Sequence, residues 1–413
     1  MSRASIPLNY DVNLRGRRRS GLLWRIAFQV ATVFGIVTLM ILILNIINDS
    51  FGYVALEARV DPFSLEQNGV ALEDQTKDQL IALLQSRLSS GAYQKLATEK
   101  PFEQRPRSDV YQVVLERVVR YKVLDSWTLW ESLSNADNIR AAALQAKPGA
   151  QVVFRAWLNP RFASGSQTSE ALTAGVRTAI LGSLWTILFT MLLAFPIGVA
   201  AAIYLEEYAG MSVINRLIQT NVNNLAGVPS IVYGILGLAI FVRSLEPLTS
   251  GSAFGVADPT TANGRTVLSA GLTLGLLVLP VIVINAQEAI RAVPRSLRNA
   301  SYGLGATKWQ TTWHHVLPSA IPGILTGTIL GISRAIGETA PLVVVGASTA
   351  ISFDPSSPFS KFTTLPIQIY QWTSRPQAEF RSLAAAAILV LLIMLLSLNA
   401  SAILLRNRYA RRS

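Results

Sequence analysis

The chain predicts an all-α polytopic membrane protein with six transmembrane helices, and three observations carry that class. Hydrophobic residues make up 51% of its 413 residues and charged residues only 15%, a displacement from the soluble average toward the membrane class. Six stretches, 26–47, 176–204, 225–242, 267–286, 321–345 and 383–405, approach or exceed the roughly 20 apolar residues that a helix needs to cross the hydrocarbon. Basic clusters flank the set: Arg15, Arg17, Arg18, Arg19 and Arg25 precede the first stretch, and Arg406, Arg408, Arg411 and Arg412 follow the last. An even number of spans leaves both termini on one side, and the arginines assign that side to the cytoplasm. A nucleic-acid tail is the minor alternative for the net charge of +12.

Residues 1–25 form the basic head. The span at 26–47 is longer than the apolar core of a signal peptide and no small-residue cleavage pattern follows it, so it reads as an uncleaved anchor. Residues 48–172 are polar, with acidic and basic groups in near balance, and are placed outside the cytoplasm by the span count. Apolar residues at helical spacing over 76–96, and Val110, Val113, Val114, Val118 and Val119 further on, predict a mainly helical insertion. The β-branched, alternating run AQVVFRAWL at 150–158 predicts one strand, ended by Asn159-Pro160, so an α+β insertion is also open.

Residues 173–406 hold the remaining five spans, and 407–413 are a basic tail. Pro196 and Pro280 lie inside spans, and Asn221, Asn223, Asn224 and Pro229 mark the start of the third, which suggests kinked helices whose neighbours satisfy the freed backbone groups. The loops at 249–266 and 352–379 carry ordinary Ser, Pro and Gly content. No cysteine is present, so disulfides and thiolate chemistry are excluded. His314 and His315 are adjacent and point about 100° apart on a helix, which suits polar surface better than a metal site.

Between the fourth and fifth spans, 288–320, the polar loop runs EAIRAVPRSLRNASYGLGATKWQTTWHHVLPSAIPG through to Gly323. Ala300 and Ser301 keep one helix face low, Gly305 tolerates positive φ at a turn, and Pro318 is expected to stop the second helix before the next span. Trp309, Trp313 and Val316 fall at i, i+4 and i+7, an apolar stripe. Such an element either lies flat in the lipid interface or forms an L-shaped knob for a partner.

Ionisable groups in an apolar span are expensive and mark functional sites by default. Arg334 and Glu338 in SRAIGETAPL share one helix face at i, i+4. One reading is a self-neutralising structural pair. The other is an anion path in which Arg334 donates to a tetrahedral oxyanion, Ser333 and Thr339 add hydroxyls, and Glu338 compensates the charge of the empty site or accepts from a protonated anion. Gly323, Gly327, Gly331 and Ala335 recur every four residues on the same span, a small-residue stripe for close helix packing, with a second permease subunit as one candidate partner.

Asn299-Ala300-Ser301, Gly305 and Leu317-Pro318 reproduce the spacing of the EAA loop of ABC-importer permeases, and the chain as a whole resembles the PstA-type permeases of bacterial phosphate ABC transporters. The likeness rests on AGVRTAILGSLWTILFTMLLAFPIGVAAAIYLEEYAG (174–210), NLAGVPSIVYGILGL (224–238), the loop, ISRAIGETAPL (332–342) and, more weakly, TLPIQIYQWTSRPQ (364–377). It implies the six-helix ABC-importer permease fold, in a bacterial cell membrane. It implies a non-enzymatic subunit that forms the inorganic phosphate path with a PstC-like permease. Two PstB-like subunits bind ATP and Mg, so this chain needs no cofactor, and a PstS-like protein delivers phosphate from outside. Asn299, Ala300, Ser301, Gly305, Trp309, Trp313, Leu317 and Pro318 become the ATPase-coupling knob, and Arg334 with Glu338 match positions implicated in transport. Asn299 stands in place of the family's usual Glu, His315 in place of an apolar residue, and the insertion departs from shorter members. The insertion holds no metal-ligand cluster and no nucleophile with its base, and no Gly-x-x-x-x-Gly-Lys loop occurs in the chain. The other readings are a sulfate, molybdate or tungstate permease, or a membrane-anchored sensor or scaffold.

Overall fold

The computed structural model describes residues 14–66, 69–99, 101–256, 263–347, 351 and 354–410. Arg411 and Arg412, the side chain of Arg15, and parts of the two long loops (257–262 and 352–353) fall outside them. The chain is a predominantly helical, multi-pass membrane protein. Among the described residues, five helices are long and apolar enough to cross a bilayer, and a bent helix pair makes a sixth crossing.

Helix α1 (Leu14–Ser50) is exposed along its apolar length, as a lipid-facing span must be, and continues without an intervening residue into strand β1 (Phe51–Ala58). Strand β1 is the centre of a three-stranded antiparallel sheet of order β2-β1-β3. It lies between β2 (Tyr121–Ser126) and β3 (Gln151–Ala156), with Val54 opposite Ser126 on one side and Val153 on the other. One strand was expected in this region, and three are present among the described residues. The reason is positional: FGYVALEA abuts an apolar span and reads as its tail, while YKVLDS carries little apolar signal, so pairing and not propensity makes both strands.

The rest of the insertion is helical. Helices α2 (Lys77–Arg87), α3 (Ser90–Glu99) and α4 (Arg107–Val114), the last continued by a π turn at Leu115–Val119, close around Leu80, Leu84, Val110, Val114 and Val119. Thr76 with Gln79, and Thr128 with Glu131, form reciprocal capping boxes that start α2 and α5 (Leu129–Ser134). Helices α6 (Ala136–Ala146) and α7 (Pro160–Ser164) complete it. The insertion is seated on the bundle by one apolar cluster, in which Val54, Trp157 and Phe162 meet Leu365, Trp372, Phe380 and Leu383.

In the bundle, α8 (Arg177–Ile203) runs through Pro196 and ends in a π turn, Tyr204–Tyr208. Helix α9 (Val213–Ala226) and helix α10 (Ser230–Gly237), extended by π turns to Ser244, meet at 105°. The span expected at 225–242 is therefore broken at its start, a sharper bend than the kink its Asn and Pro residues suggested, because Pro229 has no amide and its ring collides with the carbonyl four residues back. Short α11 (Glu246–Thr249) leads to α12 (Val267–Arg291), the most buried span. Helices α13 (Arg295–Gly303), α14 (Lys308–Thr311), α15 (Leu317–Gly337), α16 (Ala340–Val345), α17 (Leu365–Thr373) and α18 (Ala378–Ala410) follow. Helix α17 corrects the reading of 352–379 as ordinary loop: Leu365, Ile367 and Trp372 are buried in the core. The expected span 321–345 also divides, since α15 stops at Gly337, four residues before Pro341.

The small-residue stripe packs inside this chain and not on a second subunit. A Cβ added at Gly323 would lie 2.7 Å from Ala289 Cβ and one at Gly331 would lie 2.9 Å from Val278 Cγ1, while Gly327 abuts Asn285. All three partners belong to α12, so the stripe lets α15 lie directly on it.

Burial pushes the Glu116 carboxyl of the π turn up from its ordinary 4.5, against the opposing pull of Arg161, Arg117 and Arg155. A folded state that holds this proton more tightly gains stability that is fully present below the unfolded value and lost as pH rises through the folded one. Glu116→Gln is expected to raise the insertion's thermal stability at about pH 8, narrowing its gap to about pH 4.5. A gap that differential scanning calorimetry finds unchanged rules out this origin.

Candidate functional site

Two places in the bundle concentrate polar chemistry. The first is the break after α15. Gly337 ends the helix, Glu338 turns into extended backbone (φ −77°, ψ 121°), and α16 begins with Pro341 in its first turn. Arg334 sits in the last turn of α15, where a cation is favoured by the helix dipole, and its Nε donates to Glu338 Oε1 at 3.4 Å. The guanidinium stays 40% exposed and the carboxylate 19%, so the pair is formed yet open to a third group. At about 1.5 Å per residue, Arg334 lies roughly 24 Å along the helix from Pro318, toward the insertion end of the bundle.

Packing holds this break in place. A Cβ at Gly234 of α10 would lie 2.7 Å from Pro341 Cα, so the helix after one proline break rests on the helix after the other. Gly237, one turn on, abuts Thr273 of α12. The Tyr233 hydroxyl donates to the Leu225 carbonyl at 2.8 Å, spanning the bend between α9 and α10. The NLAGVPSIVYG and GETAPL runs, about 100 residues apart in sequence, are thereby brought into direct contact.

Ser333 is not placed with Arg334. Its hydroxyl lies 2.9 Å from the Ile329 carbonyl and 2.9 Å from Asn399 Oδ1, on the face turned to α18. Thr339 is half-buried and directly precedes α16. Of the four expected residues, the structure gathers Arg334 and Glu338 in one ion pair, sets Thr339 beside it in sequence, and turns Ser333 away.

The second place is the loop at the other end of α15. Helix α13 carries exposed Asn299 and Ala300 and buried Ser301, whose Oγ is 2.9 Å from Thr311 Oγ1 of α14. Gly305 between them has φ of 81°, a left-handed conformation that a β-branched residue strongly disfavours. Two expectations are corrected here. Pro318 does not stop the helix: a π turn at Thr312–Val316, in which the Leu317 amide donates to the Thr312 carbonyl, carries α14 into α15 as one rod from Lys308 to Gly337. The extra residue in that turn also splits the apolar stripe. Trp309 and Trp313 are 60% and 51% exposed and stack at 5.4 Å, whereas Val316 is buried against Ala202, Ala286 and Ile290. Leu317 and Pro318 are half-buried at the root of the loop.

A set of residues that sequence reasoning missed ties this loop down. Glu207, 7% exposed, accepts from Arg298 at 2.7 Å, and Arg298 also donates to the Val293 and Ile290 carbonyls. Glu206 accepts from Arg291 at 2.5 Å and from Gln287, which also bonds Gln219 of α9. Lys308 Nζ reaches the Glu207 carbonyl at 3.2 Å. The available signal was the acidic pair in YLEEY, on the same side of the bundle as the arginines of the loop.

A family description, binding-protein-dependent transport system inner membrane component, matches residues 194–412. The phosphate transport system permease protein PstA 1 of Mycobacterium tuberculosis (strain ATCC 25618 / H37Rv) is 40% identical over 248 residues, covering 59% of this chain and 73% of that protein. The probable ABC transporter permease protein YqgI of Bacillus subtilis is 31% identical over 257 residues, covering 59% of this chain and 82% of that protein. Among solved structures, the MetNI methionine ABC transporter in an inward-facing conformation aligns with a TM-score of 0.41 at 20% identity, over 57% of this chain and 96% of that one.

The Arg298–Glu207 pair generates a test of how the loop is held. Arg298→Ala strands a buried carboxylate and is expected to cost about 3–5 kcal/mol of local stability. Arg291→Ala removes a guanidinium that is 68% exposed and is expected to cost under about 1 kcal/mol. Hydrogen exchange across Arg295–Gly303 reads the difference, and equal protection in the two variants would contradict it.

Proposed function

Because the chain belongs to the family of binding-protein-dependent transport system inner membrane components, we propose that it is the permease subunit of an ATP-driven phosphate importer. The observation that carries this reading is the Arg334–Glu338 pair, exposed at a helix break that a lone structural ion pair does not need. Relatives named as phosphate permeases support the choice of substrate.

In the proposed cycle, the insertion and the entrance face the outside and both termini lie in the cytoplasm, as the flanking arginines favour. An oxyanion delivered by a PstS-like protein competes with Glu338 for the Arg334 guanidinium, whose planar fork suits two oxygens of a tetrahedral anion. Glu338 then accepts a hydrogen bond from the hydroxyl of hydrogenphosphate, an interaction that sulfate and molybdate, fully ionised at neutral pH, cannot make. Thr339 adds a hydroxyl beside the pair. Ser333 acts at a distance, fixing α15 against Asn399.

The chain hydrolyses no ATP itself. Two PstB-like subunits bind ATP and Mg, and a PstC-like permease supplies the other half of the path. The knob from Asn299 to Pro318, with its stacked and exposed Trp309 and Trp313, is the surface those ATPases engage.

Arg334→Ala is expected to abolish phosphate uptake in reconstituted vesicles while the complex still assembles, and phosphate accumulation at the native rate would remove the assignment. Stimulation of the complex's ATPase by molybdate and not by phosphate would instead select another oxyanion. Gly305→Val is expected to leave ATP hydrolysis running with transport lost, since valine resists the left-handed turn; intact coupling would show that the knob is elsewhere.

A further inference from the structure

We propose that the exposed face of α5, formed by Trp130 and Leu133, lies in the lipid headgroup layer beside the end of α1 and anchors the insertion to the bilayer surface. The two side chains are 73% and 72% exposed and, three residues apart, share one helix face. The opposite face is fastened to the sheet: buried Ser132 accepts from the Tyr53 amide at 2.8 Å and donates to the Thr128 carbonyl at 2.7 Å. Helix α5 therefore cannot roll to hide the tryptophan.

Height relative to the membrane follows from one hydrogen bond. The Trp130 amide donates to Asn48 Oδ1 at 2.7 Å, and Asn48 directly follows Ile47, the last residue of the apolar run of α1. That run is exposed over most of its length, with Ile43, Ile46 and Ile47 half-buried, and its exposed surface suits lipid tails. A backbone bonded to the residue that ends a lipid-facing run sits at the level where hydrocarbon gives way to headgroups. Tryptophan is enriched at that level because its ring prefers the apolar side and its indole N–H the wet side. Trp130 and Leu133 thus continue the lipid-facing surface of α1 sideways under the insertion.

The natural absence of cysteine makes the test direct. Nitroxide labels on the full-length chain carrying Trp130→Cys or Leu133→Cys, in vesicles of phosphatidylethanolamine and phosphatidylglycerol, are compared by relaxation with oxygen and with a water-soluble nickel chelate. Ile36→Cys on α1 serves as the lipid reference and Glu103→Cys in the insertion as the water reference. The expected result is that both α5 labels give an oxygen-to-nickel response between those of Ile36→Cys and Glu103→Cys, several-fold above the water reference; a response equal to that of Ile36→Cys would overturn the proposal by placing the face in the hydrocarbon. Nickel access equal to that of Glu103→Cys would overturn the proposal by placing the face in water. Protection from both reagents would overturn it by showing that another protein covers the face.

Discussion

Gly234 can approach Pro341 only because it has no Cβ, and much of the bundle is arranged around that contact. Proline lacks the amide that would continue a helix, and its ring collides with the carbonyl four residues earlier. Pro229 and Pro341 thus each terminate a helix within an apolar stretch, which leaves backbone groups that lipid could not satisfy. Stacking the two following helices directly on each other, with Tyr233 bonding back across the bend, braces both breaks against the bundle. The irregular backbone is then tolerable, and it is there that Arg334 and Glu338 stand.

The knob and the ion pair lie at opposite ends of one rod. From Lys308 to Gly337 the helix is continuous, with a single π turn in place of a hinge, and its glycine stripe holds it on α12. Glu206 and Glu207 fasten α12 and α13 to the end of α8. In the proposed transport cycle, motion imposed on the knob is therefore conveyed along α15 and shared with α8 and α12, because close-packed helices shift as units.

Composition, span length and flanking arginines were enough to read a multi-pass helical protein, since lipid allows few backbone solutions. The ion pair was legible for a related reason: charge is rare in apolar spans and i, i+4 spacing sets its geometry. What stayed hidden depended on partners distant in sequence. Nothing local distinguishes Val316 from the face of Trp309 until a π turn adds a residue, or shows that Ser333 will find Asn399. The strands of the insertion exist because β1 pairs with residues 63 to 105 positions away, and Glu207 matters because Arg298 returns to it after 91 residues.

Helix α1 passes into the middle strand of the insertion with no spacer between Ser50 and Phe51. A tether of zero length gives the insertion no freedom to swing, and the apolar cluster around Trp157 and Trp372 pins it a second time. Any tilt of the first helix must therefore reappear as a tilt of the sheet. The insertion is thereby less like a tethered module than like a pointer on a shaft, moving as the embedded helices move.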